Sequence, residues 1–360
     1  MPVSIGEEIH FHLGPHSADP ALDNLEDAIV DFIDGAQKRL DVAVQELENR
    51  RIAEALIRAE IERKVRVRLV LEADYLGGTR RPKTVEEAFE SKGPQEANRL
   101  LAAAAMRATA WVRSDFNPAI FHQKFMVRDG NAVLTGSTNF TPTGVGTDPK
   151  KGGNLNHVMV VHSRKLALAY GREFREIASG NFGRHTDGRG DSPEVIEVAG
   201  VIFKICFAPD HNPEMEIMKQ MAKAKERVDF AIFTFSQSSG IDDAMKLAKR
   251  AGIEITGVMD GMQANQVWSA SHGLFDAGIN LRQVRRSGRV RKLHHKLMTF
   301  DDDAMVIGSF NYTKPANDTN DENIMVIYGE AAKPLVRAAR DEIERIYNVH
   351  GAAFRPRTDS

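Results

Sequence analysis

The stretch FHQKFMVRD, at positions 121–129, occurs a second time in similar form as LHHKLMTFD, at positions 293–301. Each copy is followed by a glycine-serine pair, in LTGSTNFT (134–141) and in VIGSFNYT (306–313). The second histidine follows the first by 172 residues, and the second glycine follows the first by the same interval. Equal spacing of both motifs indicates that the chain contains an internal duplication.

The segments before the two motifs are also duplicated. RLDVAV (39–44) corresponds to RVDFAI (227–232), and VRVRLV (65–70) corresponds to IEITGV (253–258). All four are rich in β-branched residues and predict strands, and apolar residues at helical spacing lie between the two strands of each half. A strand, a helix and a strand predict parallel pairing, so each half is predicted to be an α/β unit.

The duplication predicts the domain boundaries. The first half is predicted to cover residues 1–180 and the second half residues 199–360. Residues 181–198 are rich in glycine and polar residues, which is typical of a linker. A length of 360 residues fits two domains that each close a hydrophobic core.

The composition is typical of a globular protein of the cytoplasm. Hydrophobic residues make up 42% and charged residues 27%, and the net charge of -2 indicates no overall preference for a polyanion. The single cysteine, Cys206, cannot form an internal disulfide, and the first residues do not resemble a signal peptide. No apolar stretch reaches the ~20 residues that a membrane helix needs, so we expect no stable membrane association.

The duplicated motifs supply groups that suit a phosphodiester. Histidine and lysine two residues apart on a strand point to one face, and each glycine-serine segment adds a hydroxyl and an amide. One imidazole can attack phosphorus while the other protonates the leaving oxygen, and lysine and asparagine can bind the non-bridging oxygens. This chemistry requires no metal or other cofactor. The candidate residues are His122, Lys124, Ser137 and Asn139 in the first half and His294, Lys296, Ser309 and Asn311 in the second.

A zinc site is a competing interpretation of the adjacent residues His294 and His295. Adjacent strand residues face opposite ways, and no cysteine or acidic cluster accompanies this pair. His295 is therefore predicted to be structural or to lie at the margin of the site.

The two segments resemble the HKD motifs, HxKxxxxD followed by GSxN, of the phospholipase D superfamily, and the resemblance covers both halves. It implies two α/β/α sandwich halves, each with a mixed, largely parallel β-sheet flanked by helices, related by a pseudo-twofold axis. It implies that His122 and His294 meet at the interface, with His122 as a phosphohistidine-forming nucleophile and His294 as the acid. Asp129 and Asp301 match the family's aspartate, which supports the fold.

The second half continues as NDEN (320–323), which resembles the family's glutamate that orients a histidine. The resemblance implies that Glu322 holds His294. The aligned residue of the first half is Asn156, which stabilises an imidazolium less than a carboxylate does. The two histidines are therefore predicted to differ in basicity.

A basic run before the second motif predicts the substrate. Its six cations have no acidic residue among them and lead directly to His294, where they would attract a polyphosphate strand. They are Arg282, Arg285, Arg286, Arg289, Arg291 and Lys292.

The function predicted from these features is a metal-independent nuclease that resembles the compact HKD nucleases, with DNA favoured over RNA. The first alternative is phospholipase D-type hydrolysis or transphosphatidylation of phospholipids. The second is a nucleic-acid-binding module without cleavage, which intact histidines and lysines in both motifs disfavour. The duplication supplies both motifs in one chain, so no oligomer is required.

Overall fold

The computed structural model describes residues 1–72, 110–113, 120–183 and 192–356, which form two mixed sheets flanked by helices. This architecture confirms the predicted α/β sandwich. The first sheet contains β1 (Val3–Ile5), β2 (Ile9–Gly14), β3 (Arg39–Val44), β4 (Arg66–Glu72), β5 (Ala110–Arg113), β6 (Lys124–Arg128), β7 (Ala132–Gly136) and β8 (Gly153–His162). The second contains β9 (Glu194–Val198), β10 (Val201–Ala208), β11 (Arg227–Ile232), β12 (Glu254–Asp260), β13 (Asn280–Val284), β15 (Lys296–Phe300), β16 (Ala304–Gly308), β17 (Glu322–Tyr328) and β18 (Gly351–Ala353), whereas β14 (Val290–Leu293) pairs with β8.

The strand orders of the two sheets show the duplication. The first sheet runs β1-β2-β8-β7-β6-β3-β4-β5. The second sheet, given in the matching direction, runs β9-β10-β17-β16-β15-β11-β12-β13-β18. Among the described strands, the parallel pairs are those within β3-β4-β5 and β11-β12-β13 and the pair β8-β14, and all other pairs are antiparallel, so the largely parallel pairing that the resemblance implies is not found. Each motif strand is joined to the next strand by only three residues, and so short a connection requires an antiparallel hairpin.

The helices form layers on both faces of the sheets. Within the described residues they are α1 (Leu25–Asp34), α2 (Arg50–Ile61), α3 (Pro142–Val145), α4 (Arg164–Ser179), α5 (Pro213–Met221), α6 (Gly240–Arg250), α7 (Gly261–Ala264), α8 (Ser271–Asp276), α9 (Lys314–Asp318) and α10 (Lys333–Arg345). Helices α4 and α10 pack in the central core between the two sheets, whereas α1 and α2 cover the first sheet and α5 and α6 the second. The central core therefore joins the two halves.

The central helix α4 shows why these segments are helical. Its buried residues Leu166, Tyr170, Phe174 and Ile177 recur at helical spacing and form one apolar stripe. The helix begins after Ser163, whose side chain accepts a hydrogen bond from the N–H of Leu166, and it ends at a left-handed glycine. No helix among the described residues has the length and apolar character needed to cross a membrane.

The two halves exchange structure near the predicted boundaries. Within the predicted linker, residues 194–198 form strand β9, which pairs with β10, and residues 184–191 lie outside the described part of the chain. Strand β14 belongs to the second half by sequence but extends the first sheet through parallel pairing with β8. The sequence boundary between the halves is therefore not a boundary between sheets.

The two motif aspartates stabilise the loops in front of the central strands. Asp129 and Asp301 both adopt positive φ angles, of 53° and 49°. The carboxylate of Asp129 accepts backbone N–H groups of residues 37–39 at 2.7–2.8 Å, and that of Asp301 accepts those of residues 225–227 at 2.9 Å. Burial opposes ionisation, but these donors outweigh it and lower the pKa of both aspartates.

We predict that Asp129→Asn and Asp301→Asn each reduce the free energy of unfolding by about 1–3 kcal/mol at neutral pH. Asparagine tolerates the positive φ angle, so the variants lose mainly the ionised acceptor. Because the folded pKa is lowered, this stabilisation is present above the unfolded pKa and disappears as pH falls through the folded pKa. Urea unfolding across the acid range measures both effects. Equal stability of these variants and the exposed control Asp341→Asn would contradict the prediction.

Candidate active site

The main chain of each motif histidine is bound to the opposite half of the protein. The N–H of His122 donates to the carbonyl of Asp321 at 3.0 Å, and the N–H of His294 donates to the carbonyl of Leu155 at 2.9 Å. Each histidine lies two residues before the motif strand of its own half. Its backbone is therefore continuous with one half and hydrogen-bonded to the other. The candidate site is therefore built at the interface.

The side-chain partners of the histidines also come from the opposite half. Nδ1 of His122 lies 2.7 Å from Oε2 of Glu322, and Nδ1 of His294 lies 2.9 Å from Oδ1 of Asn156. The expectation that Glu322 holds His294 is wrong. Glu322 directly follows Asp321, whose carbonyl binds His122, and Asn156 directly follows Leu155, whose carbonyl binds His294. This backbone pairing places the partner from each half on the histidine of the other half.

Hydrogen bonds fix the orientation of both partners. Ser137 Oγ donates to Oδ1 of Asn156 at 2.8 Å, and the amide Nδ2 of Asn156 donates to the carbonyl of Gly144 at 2.9 Å. Oδ1 of Asn156 therefore accepts from His294, whose proton lies on Nδ1 and whose Nε2 is an acceptor. Ser309 Oγ donates to Oε2 of Glu322 at 2.7 Å in the equivalent arrangement.

The glycine of each glycine-serine pair allows this close approach. A Cβ atom at Gly136 would lie 2.2 Å from the carbonyl oxygen of His157, and one at Gly308 would lie 2.1 Å from that of Asn323. Each serine hydroxyl also accepts the N–H of the strand residue it faces, at 3.0 Å. A larger residue would push the serine away from the histidine's partner.

The two motif lysines are buried beside the histidines. The Nζ atoms of Lys124 and Lys296 donate to the carbonyls of His122 and His294 at 2.8 and 3.0 Å, and Nζ of Lys296 lies 3.3 Å from Nε2 of His294. Burial lowers the pKa of Lys124 to about 7, although Glu322 and Glu46 counteract it. Burial and the charge of Lys124 lower the pKa of Lys296 well below its ordinary value.

The histidines and lysines interact electrostatically with one another. Burial is the main cause that lowers the pKa of His122 to about 4; Glu322 opposes it, and the lysines add to it. Burial also lowers the pKa of His294 well below its ordinary value, and the charges of Lys296, Lys124 and His122 lower it further. The four motif side chains therefore lie within electrostatic reach of one another, and burial disfavours the charged form of both imidazoles.

The first motif asparagine, Asn139, lies beside Gln45, which also contacts Lys124. Nδ2 of Asn139 donates to Oε1 of Glu46 at 2.8 Å and lies 3.3 Å from Oε1 of Gln45. The buried Oδ1 atoms of Asn139 and Asn311 have no hydrogen-bond partner among the described residues. Ligand groups that donate hydrogen bonds would satisfy them.

Sequence analysis missed Gln45 and Phe233, which occupy equivalent positions in the two halves. Oε1 of Gln45 lies 3.4 Å from Nζ of Lys124, whereas the ring centroid of Phe233 lies 4.7 Å from that of His294. Both residues come directly after the first parallel strand of their half, β3 or β11. The carboxyl end of a parallel strand commonly carries ligand-contacting residues, and this position was the available signal.

Behind the site, His295 forms a buried pair with His157. Their rings are stacked, with Nδ1 atoms 3.1 Å apart, and Nε2 of His157 accepts the N–H of Gly308 at 3.3 Å. Nε2 of His295 lies 3.5 Å from Oε1 of Glu342. His294 and His295 therefore have separate surroundings and do not share a ligand position.

The predicted basic run does not form one continuous surface. Arg282 donates to the carbonyl of Tyr347 and lies over its ring, and Arg289 donates to carbonyls of residues 148 and 149. Arg285 and Arg286 are exposed. Arg291 is half-buried and interacts electrostatically with Asp148. Lys292, half-buried, points its Nζ toward Phe233, with 5.2 Å to the ring centroid.

Two duplicated α/β halves thus bring their two buried histidine–lysine motifs to one interface. A family model described as the PLD-like domain of cardiolipin synthase matches residues 29–178 and 217–347. Because this match covers most of the chain, the protein belongs to the phospholipase D-like family.

Individual relatives were found among curated proteins and solved structures. The mitochondrial cardiolipin hydrolase of Xenopus tropicalis is 28% identical over 133 residues, which cover 37% of this chain and 60% of the relative. A phospholipase D of Rickettsia conorii is 28% identical over 133 residues, 37% of this chain and 64% of the relative. The chain thus matches less than two thirds of these relatives' lengths.

The whole fold is similar to a solved structure. The phosphatidylserine synthase of Haemophilus influenzae superimposes with a TM-score of 0.70 at 13% identity, covering 98% of this chain and 89% of the synthase. Because the identity is only 13%, the similarity establishes the fold alone, which includes both halves.

We predict that sulfate, which does not titrate near neutrality, binds this site more weakly as pH rises above about 7. The cause is the loss of the proton from Lys124, which removes a positive charge that the anion needs. In Lys124→Arg the charge persists, so the decline moves to higher pH. The sulfate-induced rise in Tm, measured across pH, tests this. An identical pH dependence in wild type and Lys124→Arg would contradict the prediction.

Proposed function

We propose that the protein is a phosphodiesterase that cleaves the headgroup ester of phospholipids through a covalent phosphohistidine. The observation that carries the proposal is the asymmetric pairing of the histidines across the interface, with Glu322 on His122 and Asn156 on His294. This pairing gives the two imidazoles different tasks.

His122 is the nucleophile in this proposal. When its Nε2 forms a bond to phosphorus, the imidazole gains positive charge, and the carboxylate of Glu322 on Nδ1 compensates that charge. Burial keeps the pKa of His122 at about 4, so Nε2 carries a free electron pair at neutral pH. The lone pair forms the P–N bond as the P–O bond to the headgroup breaks.

His294 is the general acid. Its neutral partner Asn156 stabilises an imidazolium less than a carboxylate would, so a protonated His294 gives up its proton more readily. The negative charge of a bound phosphodiester favours that protonated form. The proton passes from Nε2 to the departing alcohol oxygen; His294 then removes a proton from water, which attacks phosphorus and breaks the P–N bond.

The two motif lysines bind the phosphoryl group in this proposal. Lys124 and Lys296 each lie beside the histidine of their own motif, and the phosphate charge restores their protonated state after burial has lowered the pKa of each. Two preorganised ammonium groups stabilise the charge on the non-bridging oxygens. The proposed chemistry therefore proceeds without a metal ion.

Phospholipids are the substrate class that the relatives favour. Both curated relatives described above are named for activity on lipids, and the matching family model is described by a lipid synthase. The predicted nucleic-acid partner lacks such support, and Arg282 and Arg289 of the basic run are engaged in internal contacts. Nucleic acid remains the comparison substrate in the assay.

The substrate test offers the enzyme short-chain phospholipids, cardiolipin, single-stranded DNA, duplex DNA and RNA, each with excess chelator. We expect headgroup release from lipid, and a loss of about 10²–10⁴-fold in His294→Ala, which lacks the general acid. Cleavage of nucleic acid with intact lipid would overturn the substrate assignment. Loss of all turnover in chelator would overturn the metal-independent chemistry.

We predict that a covalent adduct accumulates on His122 in the His294→Ala variant when the leaving group is p-nitrophenol. This leaving group needs no acid, whereas hydrolysis of the adduct still needs His294 as the base. Peptide mass spectrometry after acid-free quenching locates the adduct, with His122→Ala as the control. An adduct on His294 in the His122→Ala variant would reverse the assigned roles.

We predict that Asn156→Asp moves the alkaline limb of the kcat profile to higher pH. The added carboxylate would stabilise the imidazolium of His294 and keep the acid protonated at higher pH. The matched change at the other histidine, Glu322→Gln, should leave this limb in place and lower the rate of adduct formation. Movement of the alkaline limb only in Glu322→Gln would contradict the assignment.

A further inference from the structure

Three large apolar side chains are exposed within one short segment of the second half. Met262, Val267 and Trp268 are 70%, 91% and 44% exposed, and all lie between β12 and α8. Exposed apolar residues that occur singly are common, whereas a group of three within seven residues marks a candidate interaction surface.

This segment borders the candidate active site. The N–H of Gln237 donates to the carbonyl of Trp268 at 3.0 Å, and Thr234 Oγ1 lies 3.3 Å from Oε1 of Gln263. The loop that makes these contacts begins at Phe233, whose ring lies against His294. The apolar segment is thus attached to the wall of the site on the side of the general acid.

Two exposed arginines lie beside the same segment. The Cγ atom of Arg285 is 3.3 Å from the position that a Cβ atom would take at Gly261, the first residue of α7. Arg286 follows it on the surface, and neither arginine forms an ion pair with a described residue. Lys292 lies further inward, near Phe233. Apolar and cationic residues therefore adjoin one another next to the loop that begins at Phe233.

We propose that Met262, Val267, Trp268, Arg285 and Arg286 form a docking surface for an anionic phospholipid bilayer. The arginines bind lipid phosphates by charge complementarity, and the apolar side chains enter the boundary between headgroups and acyl chains, where tryptophan is favoured. A nucleic acid would also bind the arginines, but its backbone offers no apolar layer for Val267 and Met262. Docking places the entrance of the site against the headgroups.

This inference rests on the proposed lipid substrate, and its test separates docking from catalysis. Full-length protein is sedimented with vesicles of phosphatidylcholine alone and with vesicles containing phosphatidylglycerol. We expect binding only to the anionic vesicles, weakened by salt. The double variants V267D/W268D and R285E/R286E should each lower this binding about tenfold or more.

The control is Leu247→Asp, which introduces one aspartate at a 63% exposed apolar residue on α6, away from the proposed surface. It should bind vesicles as wild type does. Turnover of a monomeric short-chain phospholipid by V267D/W268D should stay within about twofold of wild type, because only the interface step is lost. Turnover of the same lipid in anionic vesicles should fall in parallel with binding.

Several results would overturn the docking surface. They are failure of wild type to bind anionic vesicles, unchanged binding by V267D/W268D, and equal loss in Leu247→Asp. Tight binding of a DNA duplex that R285E/R286E abolishes and V267D/W268D leaves intact would assign the arginines to nucleic acid instead. Short-chain turnover without vesicle binding refutes docking alone, whereas vesicle binding without any lipid turnover refutes the proposed function alone.

Discussion

The structure depends on the backbone hydrogen bonds that tie each motif histidine to the opposite half. The N–H groups of His122 and His294 pair with carbonyls that directly precede Glu322 and Asn156. A single main-chain interaction thereby sets both the packing of the halves and the choice of side-chain partner. Neither half can orient its own histidine alone, which makes folding of the interface and assembly of the candidate site the same event.

Within this shared framework, the two halves differ in the side chain that holds the opposite histidine. A carboxylate holds one histidine and an amide holds the other, while the serine, glycine and lysine around them are repeated closely. A duplicated site with identical partners would give two imidazoles of equal basicity, whereas displacement at phosphorus needs a nucleophile and an acid. The exchange of Glu322 for Asn156 at equivalent positions provides that difference.

Much of this architecture could be predicted from the sequence, because His122 and His294 are separated by the same number of residues as Gly136 and Gly308. The partner of each histidine could not, since alignment of one half with the other does not show that β-strand ends cross the interface. Arg282 shows a second limit. Successive side chains on a strand point to opposite faces, so cations that are close in sequence reach different surroundings. Phe233 carries no motif, and its place depends on tertiary packing.

The most direct measurement of the cross-interface account is the Nδ1–H resonance of each motif histidine in a ¹⁵N-histidine-labelled protein. Cross-interface pairing predicts two downfield Nδ1–H signals, of which Glu322→Gln displaces that of His122 and Asn156→Ala displaces that of His294. The single variants His122→Ala and His294→Ala assign the signals. Displacement of the His294 signal by Glu322→Gln, with the His122 signal unchanged, would contradict the account.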